Sequence, residues 1–302
     1  MNILVTGGTG HLGRAIVASL KDDGHNIRVL ARRPSSEIGI LWIRGDLATS
    51  EGITAAVRGT EVVIHAATHS PAAQRGAFRL VDFVRSPTDV DVRGTAALLD
   101  AAHKEGVRHF IYVSIAGLPS MARLSAYARV KIAAEKRVRR GPVPWSIVRA
   151  TEFYWLLDRM LATLTRRPVL RLPADVRMQP VDSSDFARFV AATVSNEERG
   201  ERRDFVGPQA LTLRELAEQY LAARQLERRI RNVALPRWIR TALEAGGASS
   251  NVHAGATTWA EWLRRERVPR PPRPSQHAFG IGSILRQQRS CRVTKRASRP
   301  SK

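Results

Sequence analysis

The segment Tyr127-Ala128-Arg129-Val130-Lys131 sets a phenol and an ammonium four residues apart, so on a helix they share one face. A free tyrosine titrates near pH ~10 and exchanges protons poorly at neutrality. A fixed cation nearby favours the phenolate and lowers that pKa. Tyr127 is therefore a candidate acid/base, able to protonate the alkoxide formed when a carbonyl receives hydride, or to deprotonate an alcohol in reverse. Ser114 ends an apolar run thirteen residues upstream, where a hydroxyl can hydrogen-bond a carbonyl oxygen. Two bland readings compete: helix packing for the Tyr–Lys spacing, and loop capping for Ser114. Ser120 and Ser125 are rival hydroxyls.

A second constellation lies at the start of the chain. Thr6-Gly7-Gly8-Thr9-Gly10-His11-Leu12-Gly13 fits Gly-x-x-Gly-x-x-Gly through Gly7, Gly10 and Gly13, and Gly-x-Gly-x-x-Gly through Gly8, Gly10 and Gly13. It stands between a strand-like run and a helical one. In that setting one glycine permits the tight turn, and the next lets a pyrophosphate approach the backbone. Gly13 lets helix and strand pack closely. The helix start then offers N–H groups and a positive dipole end to phosphates.

The residues about 20 positions further on choose between dinucleotides. Here Arg28-Val29-Leu30-Ala31 runs into Arg32-Arg33, and no acid follows until Glu37. A carboxylate would repel a 2′-phosphate, whereas a guanidinium binds it bidentately. NADP(H) is thus favoured over NAD(H), with solvated surface arginines as the competing reading. Asp46, followed by Leu47, is either an adenine-side contact or a loop cap.

These residues need a scaffold, and the alternation of short apolar runs with helical ones supplies it. Strands are expected at Asn2–Thr6, Asn26–Leu30, Leu41–Arg44, Glu61–His65, His109–Ser114 and Trp145–Val148. Helices are expected at His11–Asp23, Glu51–Arg58, Asp89–Glu105 and Ser125–Arg140. Strands that are apolar throughout and separated by helices imply an α/β fold, a doubly wound parallel sheet covered on both faces. Past Ala150 the rhythm loosens. Phe153–Leu164 reads as a helix, Pro168–Pro173 as an extended turn, and Ser184–Ser195 as a helix capped by Ser183 or Ser184. Thr212–Arg224 carries a capping box with Glu215. The expected division is a Rossmann-type NAD(P)-binding domain at 1–150, a small substrate lobe at 151–265 packed on it, and a basic, disordered tail at 266–302.

Taken together, Gly7–Gly13, His65-Ala66-Ala67, Ser114, Tyr127 and Lys131 resemble the extended or atypical short-chain dehydrogenase/reductases. More narrowly, the chain resembles NmrA-like and NAD-dependent epimerase/dehydratase proteins. Asp91-Val92-Arg93-Gly94-Thr95, Val107–Ser114, Pro144–Thr151 and Pro180–Asp182 through Asp185–Ala187 carry that likeness, which covers residues 1–268. The resemblance implies Ser114 as substrate hydrogen-bonder and Tyr127 as acid/base. It implies Lys131 as binder of the nicotinamide ribose and tuner of Tyr127. His65 to Thr68, including Ala66 and Ala67, would line the cofactor, and Ala150–Phe153, including Thr151, would border nicotinamide and substrate. Asp91 stands where relatives often carry Asn. The function implied is an NADP(H)-dependent oxidoreductase acting on a small carbonyl or alcohol. NmrA-like members also include noncatalytic NADP(H) sensors, which is the alternative.

Composition bounds what else the chain can be. Of its net charge of +22, half comes from residues 264–302, with twelve Lys or Arg against Glu266 alone. That segment has no helical or strand period. A polyanion is the partner such charge attracts, but without a recognition motif no specific nucleic acid is expected. The apolar stretch around Trp155–Leu164 is broken by Asp158 and Arg159, so no membrane span is expected. No leader precedes the first strand, and Cys291 is the single cysteine, so a cytoplasmic protein without disulfides is expected. Eight scattered histidines give no metal-ligand spacing. A small-molecule substrate and a monomer or homodimer complete the expectation. Phe153, Tyr154 and Trp155 read as pocket lining or core, and Trp259 and Trp262 as pins for the last helix.

Overall fold

Consecutive buried aliphatic residues make the central strands, since a parallel strand is covered on both faces. The molecule, described by a computed structural model, is defined over residues 1–69, 88–195, 199–245 and 252–266. Its first half runs β1 (Asn2–Thr6), α1 (His11–Asp22), β2 (Asn26–Ala31), β3 (Ile40–Arg44), α2 (Ile53–Val57) and β4 (Val62–His65). A π turn, Asp89–Gly94, then leads into α3 (Thr95–Lys104), β5 (His109–Ile115), α4 (Leu118–Met121), α5 (Ala126–Arg140) and β6 (Trp145–Ala150). The second half runs α6 (Tyr154–Leu164), β7 (Val169–Leu172), β8 (Arg177–Met178), α7 (Ser183–Val194) and β9 (Glu201–Val206). It continues through β10 (Leu211–Thr212), α8 (Leu213–Arg224), β11 (Arg229–Asn232), α9 (Arg237–Glu244), β12 (Val252–Ala254) and α10 (Trp259–Arg265).

Eight strands form one parallel sheet in the order β12-β9-β6-β5-β4-β1-β2-β3. The strand order reverses at β1, which lies between β4 and β2, so the crevice beyond the C-terminal ends of β1 and β4 is the switch point where such folds hold ligands. One face of the sheet is covered by α1 and α7 through Ile16, Val17, Leu20, Phe186 and Val190. The other is covered by α2, α3 and α5 through Ile53, Ala56, Leu98, Ala102, Ala134 and Val138. A third apolar cluster joins α6, α8 and α10 around Tyr154, Leu161, Leu216 and Trp259.

Several expectations change. The long helix expected at Asp89–Glu105 opens as a π turn, which carries Asp91 into the interior. Pro168–Pro173 is not a turn but holds β7, paired in register with β11, a partner some sixty residues away. Helix α7 begins at Ser183, and its cap is Asp182, whose carboxylate accepts from the Ser184 N–H at 3.1 Å. Carboxylate and hydroxyl cap about equally well, so the sequence alone did not separate them. The sheet does not stop at residue 150: β9 pairs with β6, and residues 1–265 form one compact unit. The capping box of Thr212 and Glu215 is present on α8. Trp259 and Trp262 are buried, with Trp259 Nε1 donating to the Leu216 carbonyl at 3.0 Å. No helix among the described residues is long and apolar enough to cross a membrane. The tail beyond residue 266 lies outside the described residues.

Candidate functional site

The turn from β1 to α1 is built without side chains because there is no room for them. Gly7 has φ +77°, and a Cβ there would lie 2.7 Å from the Ala67 amide nitrogen. A Cβ on Gly13 would overlap the Gly7 carbonyl oxygen. The Gly10 N–H closes the turn on the Gly7 carbonyl at 2.9 Å. Gly10 is the N-cap of α1, and no side chain among the described residues caps that helix. The first-turn N–H groups of Leu12 and Gly13 therefore remain for an anion, beside exposed Thr9. This cradle fits a dinucleotide pyrophosphate: bare backbone, close approach and an electropositive helix start.

At the far end of β2, Arg32 and Arg33 are both exposed just past the last strand residue, Ala31. Asp46 Oδ1 accepts from the Ala48 N–H at 2.9 Å, so this carboxylate caps its own loop, while Leu47 is buried in the core under Gly94. His11 leaves the cradle sideways. Its ring stacks on Trp155 of α6 with centroids 4.9 Å apart, and its Nδ1 lies 3.2 Å from the Ser183 hydroxyl.

His65 does not line the crevice. It is fully buried, and burial pushes its pKa down to about 3. Its Nδ1 is 2.6 Å from Thr6 Oγ1, and its Nε2 is 2.9 Å from Thr95 Oγ1. Because the Thr95 hydroxyl donates to the Asp91 carbonyl, it accepts from His65, which assigns the proton of the neutral ring to Nε2. His65 thus locks the ends of β1 and β4 to the π turn. The chain then emerges through half-buried Ala66 and Ala67 to exposed Thr68.

Thr68 meets the acid/base candidate. Its hydroxyl lies 2.9 Å from the Tyr127 hydroxyl and donates to Asp91 Oδ1 at 2.6 Å, while Asp91 Oδ2 accepts from the His69 N–H at 2.9 Å. Helix α5 carries Tyr127 here because Ser125 caps it, accepting from the Ala128 N–H. Lys131, one turn on, is only 3% exposed. Its ammonium donates to the Val113 carbonyl at 3.0 Å, lies 3.6 Å from Asp91 Oδ1 and sits 4.4 Å above the Tyr112 ring. Ser114, the next residue along β5, is buried, and its Oγ has no hydrogen-bond partner among the described residues. An orphaned buried hydroxyl is costly unless something outside the chain completes it.

The charge balance at Tyr127 differs from the sequence expectation. Its phenol is not made more acidic: burial pushes the pKa well above the usual value, and the Asp91 carboxylate pushes it further. The physical reason is burial first and the order of the groups second. Lys131 is paired with Asp91, so the carboxylate, not the cation, is the charge coupled to Tyr127. Lys131 is itself pushed down by burial, with Asp91 opposing. Its ammonium, expected to meet a ribose, is held on the Val113 carbonyl.

The segment after β6 is anchored rather than open. Ala150 is buried, the Thr151 N–H donates to Phe205, and the Thr151 hydroxyl donates to the Gln179 carbonyl at 2.6 Å. Next to it, half-buried Glu152 has its pKa raised by burial. Tyr154 is core and donates to the Thr257 carbonyl at 3.0 Å. The structure thus brings Gly7, Ala67, Thr68, Tyr127 and Lys131 into one contiguous set of contacts, with Ser114 following the carbonyl that holds Lys131. Arg32 and Arg33 follow the end of β2, on the other side of β1. Sequence reasoning missed the Thr68–Asp91 link, whose only trace was an acid in the run Asp91–Thr95.

The family model described as NAD(P)H-binding matches residues 7–197. The (4-alkanoyl-5-oxo-2,5-dihydrofuran-3-yl)methyl phosphate reductase of Streptomyces griseus is 34% identical over 230 residues, covering 72% of each chain. The photosystem II assembly factor Ycf39 of Cyanophora paradoxa is 29% identical over 209 residues, 67% of this chain and 62% of that one. The chain therefore spans less than two thirds of the length of that relative. Among solved structures, the NADPH-dependent quinone oxidoreductase QOR2 of Escherichia coli, complexed with NADPH, superimposes with a TM-score of 0.69 at 18% identity, over 88% of this chain and 99% of that one. The Citrobacter triphenylmethane reductase with NADP(H) gives 0.67 at 18% identity over the same shares.

Proposed function

Starting from the premise that this chain belongs to the NAD(P)H-binding family, we propose that it is an NADP(H)-dependent oxidoreductase acting on a small carbonyl or alcohol. The observation that carries the reading is the buried hydroxyl of Ser114 near the end of β5, which has no hydrogen-bond partner among the described residues. A substrate carbonyl oxygen would complete it. The dinucleotide would lie with its pyrophosphate on the Gly7–Gly13 cradle and its 2′-phosphate on Arg32 and Arg33. Its adenine side would run toward Asp46 and Leu47, and its nicotinamide end toward Ala66–Thr68, Lys131, Ala150 and Thr151. When bound, it supplies or accepts the hydride. Ser114 orients the substrate oxygen, and Tyr127 holds the proton that this oxygen gains or loses. Burial keeps the phenol protonated, which suits the carbonyl-reducing direction. The reductase name of the Streptomyces griseus relative supports the class of reaction.

The test is a titration with NADPH and NADH followed by a carbonyl panel, read as loss of nicotinamide absorbance. Tyr127→Phe should keep dinucleotide binding and lose turnover. A second reading, a noncatalytic NADP(H) binder, is favoured by the upward shift of Tyr127 and by the assembly-factor name of Ycf39. Tight NADPH binding with no consumption across the panel selects it.

A further inference from the structure

Tyr127, Thr68, Asp91 and Lys131 stand in one line, and the direction of its hydrogen bonds can be worked out. A carboxylate facing an ammonium only accepts, and a threonine hydroxyl has one hydrogen. Thr68 gives that hydrogen to Asp91 Oδ1 at 2.6 Å. The 2.9 Å contact between the two hydroxyls is then donated by Tyr127. The same carboxylate oxygen lies 3.6 Å from Lys131 Nζ. Asp91 is fully buried and Thr68 is exposed, so the line runs from the crevice into the interior.

We propose that Thr68 and Asp91 are the route by which the Tyr127 phenol exchanges its proton, a path made of this chain's own side chains between the phenol and Lys131. The inference rests on the oxidoreductase reading above. In alcohol oxidation the substrate O–H proton passes to Tyr127 Oη as the phenolic proton moves to Thr68 Oγ1, and the Thr68 proton moves to Asp91 Oδ1. The substrate C–H hydride leaves to the oxidised dinucleotide. One alcohol O–H bond breaks and one carboxyl O–H bond forms. Carbonyl reduction runs the line the other way: the carbonyl carbon gains hydride from the reduced dinucleotide, its oxygen gains the Tyr127 proton, Thr68 passes its proton to Tyr127 Oη, and Asp91 hands to Thr68 Oγ1 a proton it takes from Lys131 Nζ. A solvent proton then restores the ammonium, and after oxidation the Asp91 proton leaves by the same route, to Lys131 once that group has released one to solvent. The lowered pKa of Lys131 makes it a readier donor than a solvated lysine. Tyr127 would touch substrate; Thr68 and Asp91 act through it.

Asp91 also balances a buried cation, so its variants test folding as much as chemistry, and the deciding substitutions are at exposed Thr68. Thr68→Val should lower kcat at least tenfold, a fraction of what general acid–base catalysis contributes. KM and the NADPH dissociation constant should stay within about twofold, and Thr68→Ser should restore kcat, because only the hydroxyl matters. A readout without turnover is the ζ-carbon resonance of 13C-labelled Tyr127, identified by its absence from Tyr127→Phe. It should move in Thr68→Val and return in Thr68→Ser. Wild-type turnover matched by Thr68→Val, or an unmoved Tyr127 resonance, overturns the relay and leaves the oxidoreductase reading standing. A wild-type protein that binds NADPH but turns over no carbonyl or alcohol overturns that reading, and the relay with it.

Discussion

His11 and Trp155 lie face to face, with ring centroids 4.9 Å apart and planes 22° from parallel. One ring belongs to the phosphate cradle and the other to α6 in the second half of the chain, so the contact couples the glycine turn to the segment expected to hold substrate. A stacked aromatic pair contributes about 0.5–1.5 kcal/mol beyond its buried area. The stack alone is then about 1–6 °C of Tm, and Trp155→Ala, which also loses the ring's buried area, should cost at least that. NADPH binding should quench Trp emission in the wild type and quench it less in Trp155→Phe. Equal quenching in both would mean that this stack does not sense the cradle.

Two glycines of the cradle, Gly13 and Gly10, should fail in different ways. A Cβ on Gly13 has no space beside the Gly7 carbonyl, so Gly13→Ala should destabilise the fold as well as abolish NADPH binding. A Cβ on Gly10 meets only the Gly7 oxygen at 3.2 Å. Gly10→Ala should keep Tm within about 3 °C, the shift of under 1 kcal/mol, yet weaken NADPH at least tenfold by intruding on the pyrophosphate. Calorimetry and fluorescence titration separate the two, and unchanged binding in Gly10→Ala would remove the cradle from the site.

Cofactor choice should follow the charge past β2. Arg32→Glu, alone or with Arg33→Glu, should cost NADPH at least tenfold in affinity while leaving NADH within about threefold, as expected where a guanidinium engages a 2′-phosphate. Parallel losses for both dinucleotides would show that these arginines do not read the phosphate.

Acid should destabilise the molecule through two buried histidines. His65 and His109 are each pushed down to about 3, chiefly by burial. Unfolded, each binds a proton near pH ~6.5, so between that pH and about 3 the unfolded chain holds more protons than the folded one. Stability is then full above pH ~6.5 and falls as pH drops, by up to about 1.4 kcal/mol per unit for each histidine. Urea midpoints at pH 7, 6, 5 and 4 should decline steadily. A flat series would mean that neither ring is kept neutral by the fold.

Much of this architecture was legible in the chain. Ile3-Leu4-Val5 and Val62-Val63-Ile64 are apolar throughout because both faces of their strands are covered, and the glycine turn announces itself between strand and helix. Strand β9 was not legible because its first half, Glu201-Arg202-Arg203, is polar and only Asp204–Val206 are buried. Strand β7 depends on a distant partner. At the site, residue types and spacing found Ser114, Tyr127 and Lys131. They could not show that Asp91, forty residues from Lys131, would be turned inward to meet it. A helical period predicts which residues share a face, not which remote carboxylate a buried cation will find.

Strand β9 has a consequence for dissection of the molecule. It returns from beyond α7 to hydrogen-bond along β6, and β12 then flanks it in turn. A fragment ending at Ala150 would strip β6 of that neighbour and bare a row of N–H and C=O groups, an open template for pairing with other chains. The dinucleotide half cannot be cut free as a module: the nucleotide cradle and the lobe beyond it stand or aggregate together.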